Sequence, residues 1–449
     1  MSQLSAYGPV LASRRHTARL PDYAVGDAAP PRERALPSLA ALAAGCYLIS
    51  VPLLSSWKET TAWIPQVVGL GAGLTWLVFG LVMGKTGVAW TRPILYYMAW
   101  AAWAATGLMV TINLEYFYIN YRALAKVVAI TWVVSQCVRT RADLLACLLM
   151  LGLTGFMVFY TGVDEILRAA AYQGSREKVG SRVEADLLSN ANSMGMFGMA
   201  VLLSCLTAFW GFRARFFKLL SVAGTPIALY MIAASGSRMT MVGVMVAGAT
   251  MYWYHLRKMG GQGVDRKLAM LILGTLIAIG SIIFVAKNPF FFRLRAAFAD
   301  SDAVQKQPRT LYFFRGMQAT AENPVFGLGL GGFAAHGLGG RGSKGHFSHS
   351  VVTETLSCTG IPGFLLYFAS QFAFYNLVRK LRKAPLPKWD MATVNMLMVV
   401  FWTFFIMNLA SVPMADRLLW PLFGAFCGYL FALKKRYLDA PRPAEVLTR

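Results

Sequence analysis

Apolar stretches about as long as a bilayer core is thick recur along nearly the whole chain. They fall at 36–55, 62–83, 93–112, 122–138, 143–160, 190–210, 218–234, 239–255, 268–286, 351–377, 392–410 and 415–433. Each approaches the ~20 residues that an α-helix needs to cross the hydrocarbon. A transmembrane barrel would instead show ~10-residue segments of alternating polarity, and none is legible. One soluble core cannot hide so many uninterrupted apolar runs. The composition agrees, with 57% hydrophobic and only 14% charged residues, against about 25% charged in an ordinary soluble domain. The chain therefore reads as an all-α, polytopic transmembrane bundle of about twelve helices.

Charge sets the expected orientation. The formal net charge is +23. In a soluble chain that would suggest nucleic acid, but no basic helix or aromatic-plus-basic module is present, so no nucleic-acid partner is expected. In a membrane chain, basic residues concentrate in cytoplasmic loops. An N-in start puts Arg14, Arg15, Arg139, Arg141, Arg213, Arg215, Lys218, Arg257, Lys258 and the run Arg379 to Lys383 on one side, together with Lys434, Lys435 and Arg436. Both termini are then cytoplasmic, and membrane lipids are direct partners. Residues 1–35 have no apolar core before residue 36, so they read as a flexible cytoplasmic tail rather than a cleaved signal. Residues 36–433 form the membrane domain, and 434–449 a second cytoplasmic tail. The two longest loops, 161–189 and 287–350, fall outside; the second is a large periplasmic loop between helices 9 and 10. Long loops in compact proteins are often functional.

Cys46, Cys137, Cys147, Cys205, Cys358 and Cys427 lie in or beside apolar stretches without CxxC spacing. They read as small buried residues rather than a disulfide framework or a zinc site. Asp300-Ser301-Asp302 matches a common three-residue acidic pattern that carries little weight. Gly327 to Gly332 has the letters of a dinucleotide loop but lacks the strand, helix and later acid that such a loop requires. Its glycines read as a tight bend against the bundle.

The outer loops carry more cations than topology requires, among them Arg168, Arg176, Lys178, Arg182, Lys287, Arg293, Arg295, Lys306, Arg309, Arg315, Arg341 and Lys344. Headgroup contact accounts for many of them. The other reading is a site for an anionic, membrane-borne substrate, because a guanidinium fork offers two parallel charged hydrogen bonds to a phosphate. Arg238 follows Ser235-Gly236-Ser237 and opens an apolar helix, so its charge lies near the hydrocarbon edge and asks for a partner. Pro308-Arg309 suits a helix start. That helix runs to about Glu322, where Asn323-Pro324 stops it. Arg309 and Arg315 are about 240° apart around it, so one face cannot present both; Arg309 is favoured for the site.

His336, His346 and His349 all fall in the longer outer loop, and His349 stands at the opening of the tenth span. An imidazole titrates near neutral pH and suits a general base. His346 offers a second imidazole. Glu354 lies one turn into the span, and Glu115 and Asp416 near the outer ends of others; an acid there would orient His349. A metal held by His346 and His349 lacks a convincing third ligand nearby, and no cofactor is expected. Asn190 or Asn192 would cap the sixth span.

Pro308-Arg309, then Asn323-Pro324-Val325-Phe326-Gly327-Leu328-Gly329, then His349-Ser350, Glu354 and Gly360-Ile361-Pro362-Gly363 together resemble the signature of the O-antigen ligase and O-antigen polymerase superfamily of integral membrane glycosyltransferases. Gly360 follows His349 by the family spacing, and Ser237-Arg238 matches a family arginine before a span. Within the superfamily the chain looks most like the ligases that join O-antigen to lipid A–core oligosaccharide. The resemblance implies a multi-pass bacterial inner-membrane enzyme with its active site facing the periplasm. It implies an undecaprenyl-diphosphate-linked glycan as donor, lipid A–core as acceptor, and neither metal nor nucleotide. His349, Arg238 and Arg309 would be catalytic, the arginines also binding substrate with Arg315, His346, Ser350 and Glu354. Ser350 stands where the family usually has asparagine. A polymerase, whose acceptor is a second undecaprenyl-linked glycan, shares these motifs. A transporter would need coupling acids at mid-membrane, and the span interiors are nearly free of them.

Overall fold

The computed structural model describes residues 36–54, 63–82, 87–173, 191–211, 215–235, 237–258, 308–338, 347–409, 411 and 414–439. Of Arg168, Arg238 and Arg309 the backbone alone is described. The expected span 268–286, both chain ends, Asn190, His346, Asp300, Asp302 and the remaining outer-loop cations apart from Arg315 lie outside these residues.

Every other apolar stretch is helical. The elements are α1 (Leu39–Leu54), α2 (Ile64–Trp76, continuing in a π turn over Leu77–Val82), α3 (Arg92–Ala105, with a 3-10 turn over Thr106–Met109) and α4 (Leu114–Cys137). Then come α5 (Arg141–Gln173), α6 (Ala191–Gly211), α7 (Arg215–Ser235), α8 (Arg238–Lys258), α9 (Pro308–Glu322) and the single turn α10 (Gly332–Ala335). The chain closes with α11 (Val351–Leu381), α12 (Lys388–Leu409) and α13 (Leu419–Tyr437). Among the described residues, seven helices are long and apolar enough to cross a membrane. The protein is an all-α, multi-pass membrane helical bundle.

Local chemistry sets the helix starts. Asn113 caps α4, its Oδ1 accepting the Tyr116 N–H at 2.9 Å. Asp143, in the first turn of α5, accepts the Thr140 N–H at 2.9 Å and the Arg139 N–H at 3.1 Å, and reaches the Ser38 N–H at 2.7 Å. Asp416 accepts from the Leu418 and Leu419 N–H groups at 2.9 and 2.7 Å. Each carboxylate satisfies donors that a helix start leaves open. Asp416 therefore caps the start of α13.

Two expectations are corrected. The outer loop 161–189 begins as helix, because α5 runs on to Gln173; Ile-Leu-Arg-Ala-Ala-Ala at 166–171 is a strong helix-forming run. Cys46 is exposed, whereas the other five cysteines are buried. It lies on the face of α1 that includes Leu39 and Leu42, both also exposed.

Apolar packing holds the bundle in two clusters. The larger joins α1, α5, α6, α7, α12 and α13 with the second half of α11. The smaller is aromatic: Tyr97 and Trp420 stack with ring centroids 3.6 Å apart, and Trp100 meets Tyr367 edge-on. Gly424 and Gly428 of α13 lie against the α4 backbone, where a Cβ would meet the carbonyl oxygens of Thr131 and Ser135. Small residues four apart let helices approach closely in lipid.

Two further glycines align the helix ends. A Cβ on Gly243 of α8 would meet Met407, near the end of α12. One on Gly195 of α6 would meet Ser235 and Thr240. The starts of α6 and α8 and the ends of α7 and α12 thus share one end of the bundle.

Candidate functional site

His349 sits at that end, two residues before α11. Its φ is +59°, and among the described residues it is the one non-glycine with positive φ. Such a backbone costs on the order of 1–3 kcal/mol for a residue with a Cβ, so its neighbours must impose it. Three contacts do so. Glu354, fully buried, accepts the Ser348 N–H at 2.8 Å. The Ser348 hydroxyl donates to the Ser350 carbonyl at 2.9 Å. The Ser350 hydroxyl donates to the Leu409 carbonyl at 2.9 Å, satisfying an acceptor that the end of α12 leaves open. The His349 ring stacks on Tyr312 of α9 at 6.3 Å between centroids, with 22° between planes.

These bonds define what two of the sequence candidates do. Ser350 supplies its hydroxyl to a neighbouring helix and ties α11 to α12. Glu354 holds the turn before His349 through Ser348, and its other oxygen lies 3.5 Å from Cys358 Sγ. Glu354→Leu is expected to destabilise the protein by about 1–3 kcal/mol, by leaving the buried Ser348 N–H unpaired. Glu354→Gln, which keeps an acceptor oxygen, should lose less; thermal unfolding of the two variants in detergent checks the order.

The second half of the sequence signature explains itself in contacts. At Gly360 α11 leaves helical geometry, with φ +66° and ψ −175°. The break admits the turn after α9. The Ile361 N–H donates to the Pro324 carbonyl at 2.8 Å, and the Leu328 N–H to the Ser357 carbonyl at 2.7 Å. Pro362 has no N–H to offer the helix. Trp103 of α3 closes the same seam: its Nε1–H donates to the Thr359 carbonyl at 2.9 Å, and its ring stacks on Phe326. At Gly329, with φ +81°, the turn meets the Gly107 backbone. The glycine eleven residues after His349 is therefore a docking point for the loop.

Helix α9 runs over Pro308–Glu322, the span expected from its flanking signals. It packs against the first turns of α11, where a Cβ on Gly316 would meet Thr353. Arg309 lies within about 20° of Gly316 around the helix and about 60° from Tyr312. Its position is thus on the face of α9 that meets α11 and His349. Arg315 lies about 100° from Gly316 and about 60° from Tyr312 on the side away from Arg309, and is half-buried. Its Nη1 donates to the Leu338 carbonyl at 3.1 Å, clasping the chain beyond α10. His336 closes α10 as a loop residue.

Arg238 is the first residue of α8. Ser235 and Ser237 before it are buried; the Ser237 N–H donates to Ser235 Oγ at 3.2 Å, and Thr240 Oγ1 to the Ser237 carbonyl at 2.8 Å. Arg238 precedes Gly243 by about 7 Å of helix rise. Gly243 packs on Met407, two residues before the carbonyl that Ser350 holds. The backbone positions of Arg238, Arg309 and His349 therefore share one end of the bundle.

Residues 223–368 match the family model described as O-Antigen ligase. The matched segment is about a third of the chain, and it is similar to that family. It runs from the middle of α7 to the middle of α11 and includes Arg238, Arg309, His349 and the loop-docking break at Gly360. This likeness supports an enzymatic role in O-antigen assembly. No curated protein matches the chain. Among the described residues, no group of three or more His, Cys, Asp or Glu side chains is placed to hold a metal ion.

Sequence reasoning missed Tyr312, Ser348 and Trp103 at this site. Tyr312 had a usable signal, since it stands three residues after Arg309 and residues three apart share a helix face. Ser348 and Trp103 act through partners distant in sequence or through backbone bonds, and no local pattern marks them.

Proposed function

We propose that the protein transfers O-antigen glycan from undecaprenyl diphosphate to a sugar hydroxyl of lipid A–core oligosaccharide, at the periplasmic face of the bacterial inner membrane. The observation that carries this reading is the superfamily match over residues 223–368. That segment contains the two arginines and the histidine which the chemistry requires.

His349 takes the proton from the acceptor hydroxyl. The acceptor oxygen attacks the anomeric carbon of the donor. The bond from that carbon to the diphosphate oxygen breaks, and its electron pair leaves with the diphosphate. Arg238 and Arg309 hold the diphosphate and stabilise the charge that develops on it. A single displacement inverts the anomeric carbon. Both substrates are lipid-linked, so holding them at one end of the bundle replaces a rare encounter with a positioned one. The clamped backbone around His349 supports this role, because a general base works best where its ring cannot wander.

The test is transfer by purified protein in liposomes, given undecaprenyl-diphosphate-linked glycan and, separately, lipid A–core or a second lipid-linked glycan. Glycan-bearing lipid A–core is the expected product. Lengthened undecaprenyl-linked glycan alone would make the protein a polymerase, and no product with either acceptor would remove the proposal. Arg309→Ala is expected to raise the donor Kd about ten- to hundredfold, in line with loss of a charged hydrogen bond to phosphate; an unchanged Kd would take Arg309 out of the donor site.

A further inference from the structure

The far end of α11 carries a different constellation. Arg379, Arg382 and Lys383 lie in or directly after its last turn, about 40 Å of helix rise from the His349 end. Their positions fall within about 100° of one another around the helix, so they share a face. They line a cleft of about 800 Å³ between α8, α11 and α12. Its walls are aromatic and aliphatic: Trp253, Tyr254, Tyr375 and Trp402, with Val246 and Ile406.

The cleft is built rather than incidental. The Arg382 Nε–H donates to Asn395 Oδ1 at 2.9 Å and its Nη1–H to the Tyr254 hydroxyl at 2.9 Å. Its guanidinium also lies 4.4 Å from the centre of the Tyr254 ring. Arg379 lies over Tyr375 at 6.0 Å. Among the described residues, no carboxylate forms an ion pair with any of these three cations. An inside-positive charge bias accounts for basic residues at a helix end. It does not account for three of them sharing one face that lines an aromatic recess, with one guanidinium fixed by two neutral partners.

We infer that this cleft binds the phosphate of an anionic glycerophospholipid. Arg379, Arg382 and Lys383 hold the phosphate, and the acyl chains lie along Val246 and Ile406. A lipid fits better than a free phosphate because the wall beside the charges is apolar. Trp253, 54% exposed, is the kind of amphipathic ring that settles at headgroup depth. The bound lipid would bridge α8, α11 and α12 at the end opposite His349.

The test needs no transfer activity. Full-length protein in a zwitterionic detergent is titrated with phosphatidylglycerol, phosphatidylcholine or glycerol 3-phosphate. Retained lipid is read by native mass spectrometry and stability by thermal unfolding. Phosphatidylglycerol is expected to be retained and to raise Tm, while phosphatidylcholine does neither. Arg379→Gln with Lys383→Gln should weaken retention at least about tenfold, and Arg379→Lys with Lys383→Arg should keep most of it. Arg382 is left in place because it also joins Tyr254 to Asn395. Equal retention of phosphatidylcholine, unchanged binding in the glutamine variant, or the same stabilisation by glycerol 3-phosphate alone would each overturn the inference. If the glutamine variant does not fold, the comparison of the three probes on the unaltered protein decides.

Discussion

His349→Ala is expected to lower the transfer rate by roughly two to four orders of magnitude, the range that a positioned general base contributes, while donor binding stays near its original value. The partition follows from the geometry. The arginines proposed to bind the diphosphate lie on α8 and α9, and His349 stands on neither. A second variant separates the base from the backbone. Glycine accepts φ +59° without the cost that any Cβ brings. His349→Gly should therefore be more stable than His349→Ala by about 1 kcal/mol, and both should be inactive. Thermal unfolding and single-turnover transfer, measured on the same preparations, read the two effects apart. An alanine variant with near-normal turnover would move the base elsewhere, and equal melting of the two variants would show that the left-handed turn is not held.

Gly360→Ala is expected to be the more damaging change to the fold, by on the order of 3 kcal/mol or more. Two costs coincide there. The backbone, at φ +66° and ψ −175°, lies in a region that is essentially glycine's alone. A Cβ would also meet the Val325 carbonyl oxygen, which is fixed backbone and cannot swing aside. Relief would require the turn 323–329 to leave the break in α11, with loss of the Ile361-to-Pro324 bond. Gly337 provides the control. It too has φ +66°, but a Cβ there has nothing within 4 Å, so Gly337→Ala should cost only about 1 kcal/mol of backbone preference. Similar melting of the two alanine variants would mean that the close approach at Gly360 carries no energy.

The contrast between these glycines shows how far the sequence could be read. Both stand in segments that local pattern marks as special, and neither pattern says what the residue touches. The spacing from His349 to Gly360 was legible as part of a family signature. Its physical reason, a gap in one helix that receives a loop from another element, required coordinates. Glu354 makes the same point in reverse. Local pattern offers it as an acid to orient the His349 ring, and the structure puts its carboxylate on the backbone of Ser348. The span positions and the extent of α9 were well marked, because apolar length and the Pro308 and Asn323-Pro324 signals are properties of short stretches. The extension of α5 through residues 161–173 is not marked by apolar length, because a helix can run on past its apolar stretch through good helix formers.

What the amino-acid sequence determined by itself is the class of molecule and its membrane chemistry. Runs near 20 apolar residues cannot be soluble loops, and their backbone groups leave only a helix as a stable answer in lipid. The sequence also marked Arg238 as a charge in a costly place, Arg309 as a cation at a helix start and His349 as a candidate base. The tertiary structure decided which end of the bundle their backbone positions share and what holds His349. Three backbone and hydroxyl bonds through Ser348, Ser350 and Glu354 clamp His349. Tyr312 and Arg309 share the α9 face that meets α11, whereas Arg315 is turned to the Leu338 carbonyl. The reason is that these are contacts between elements far apart in the chain. Hydrophobic periodicity says which face of a helix is covered, but only packing says which neighbour covers it.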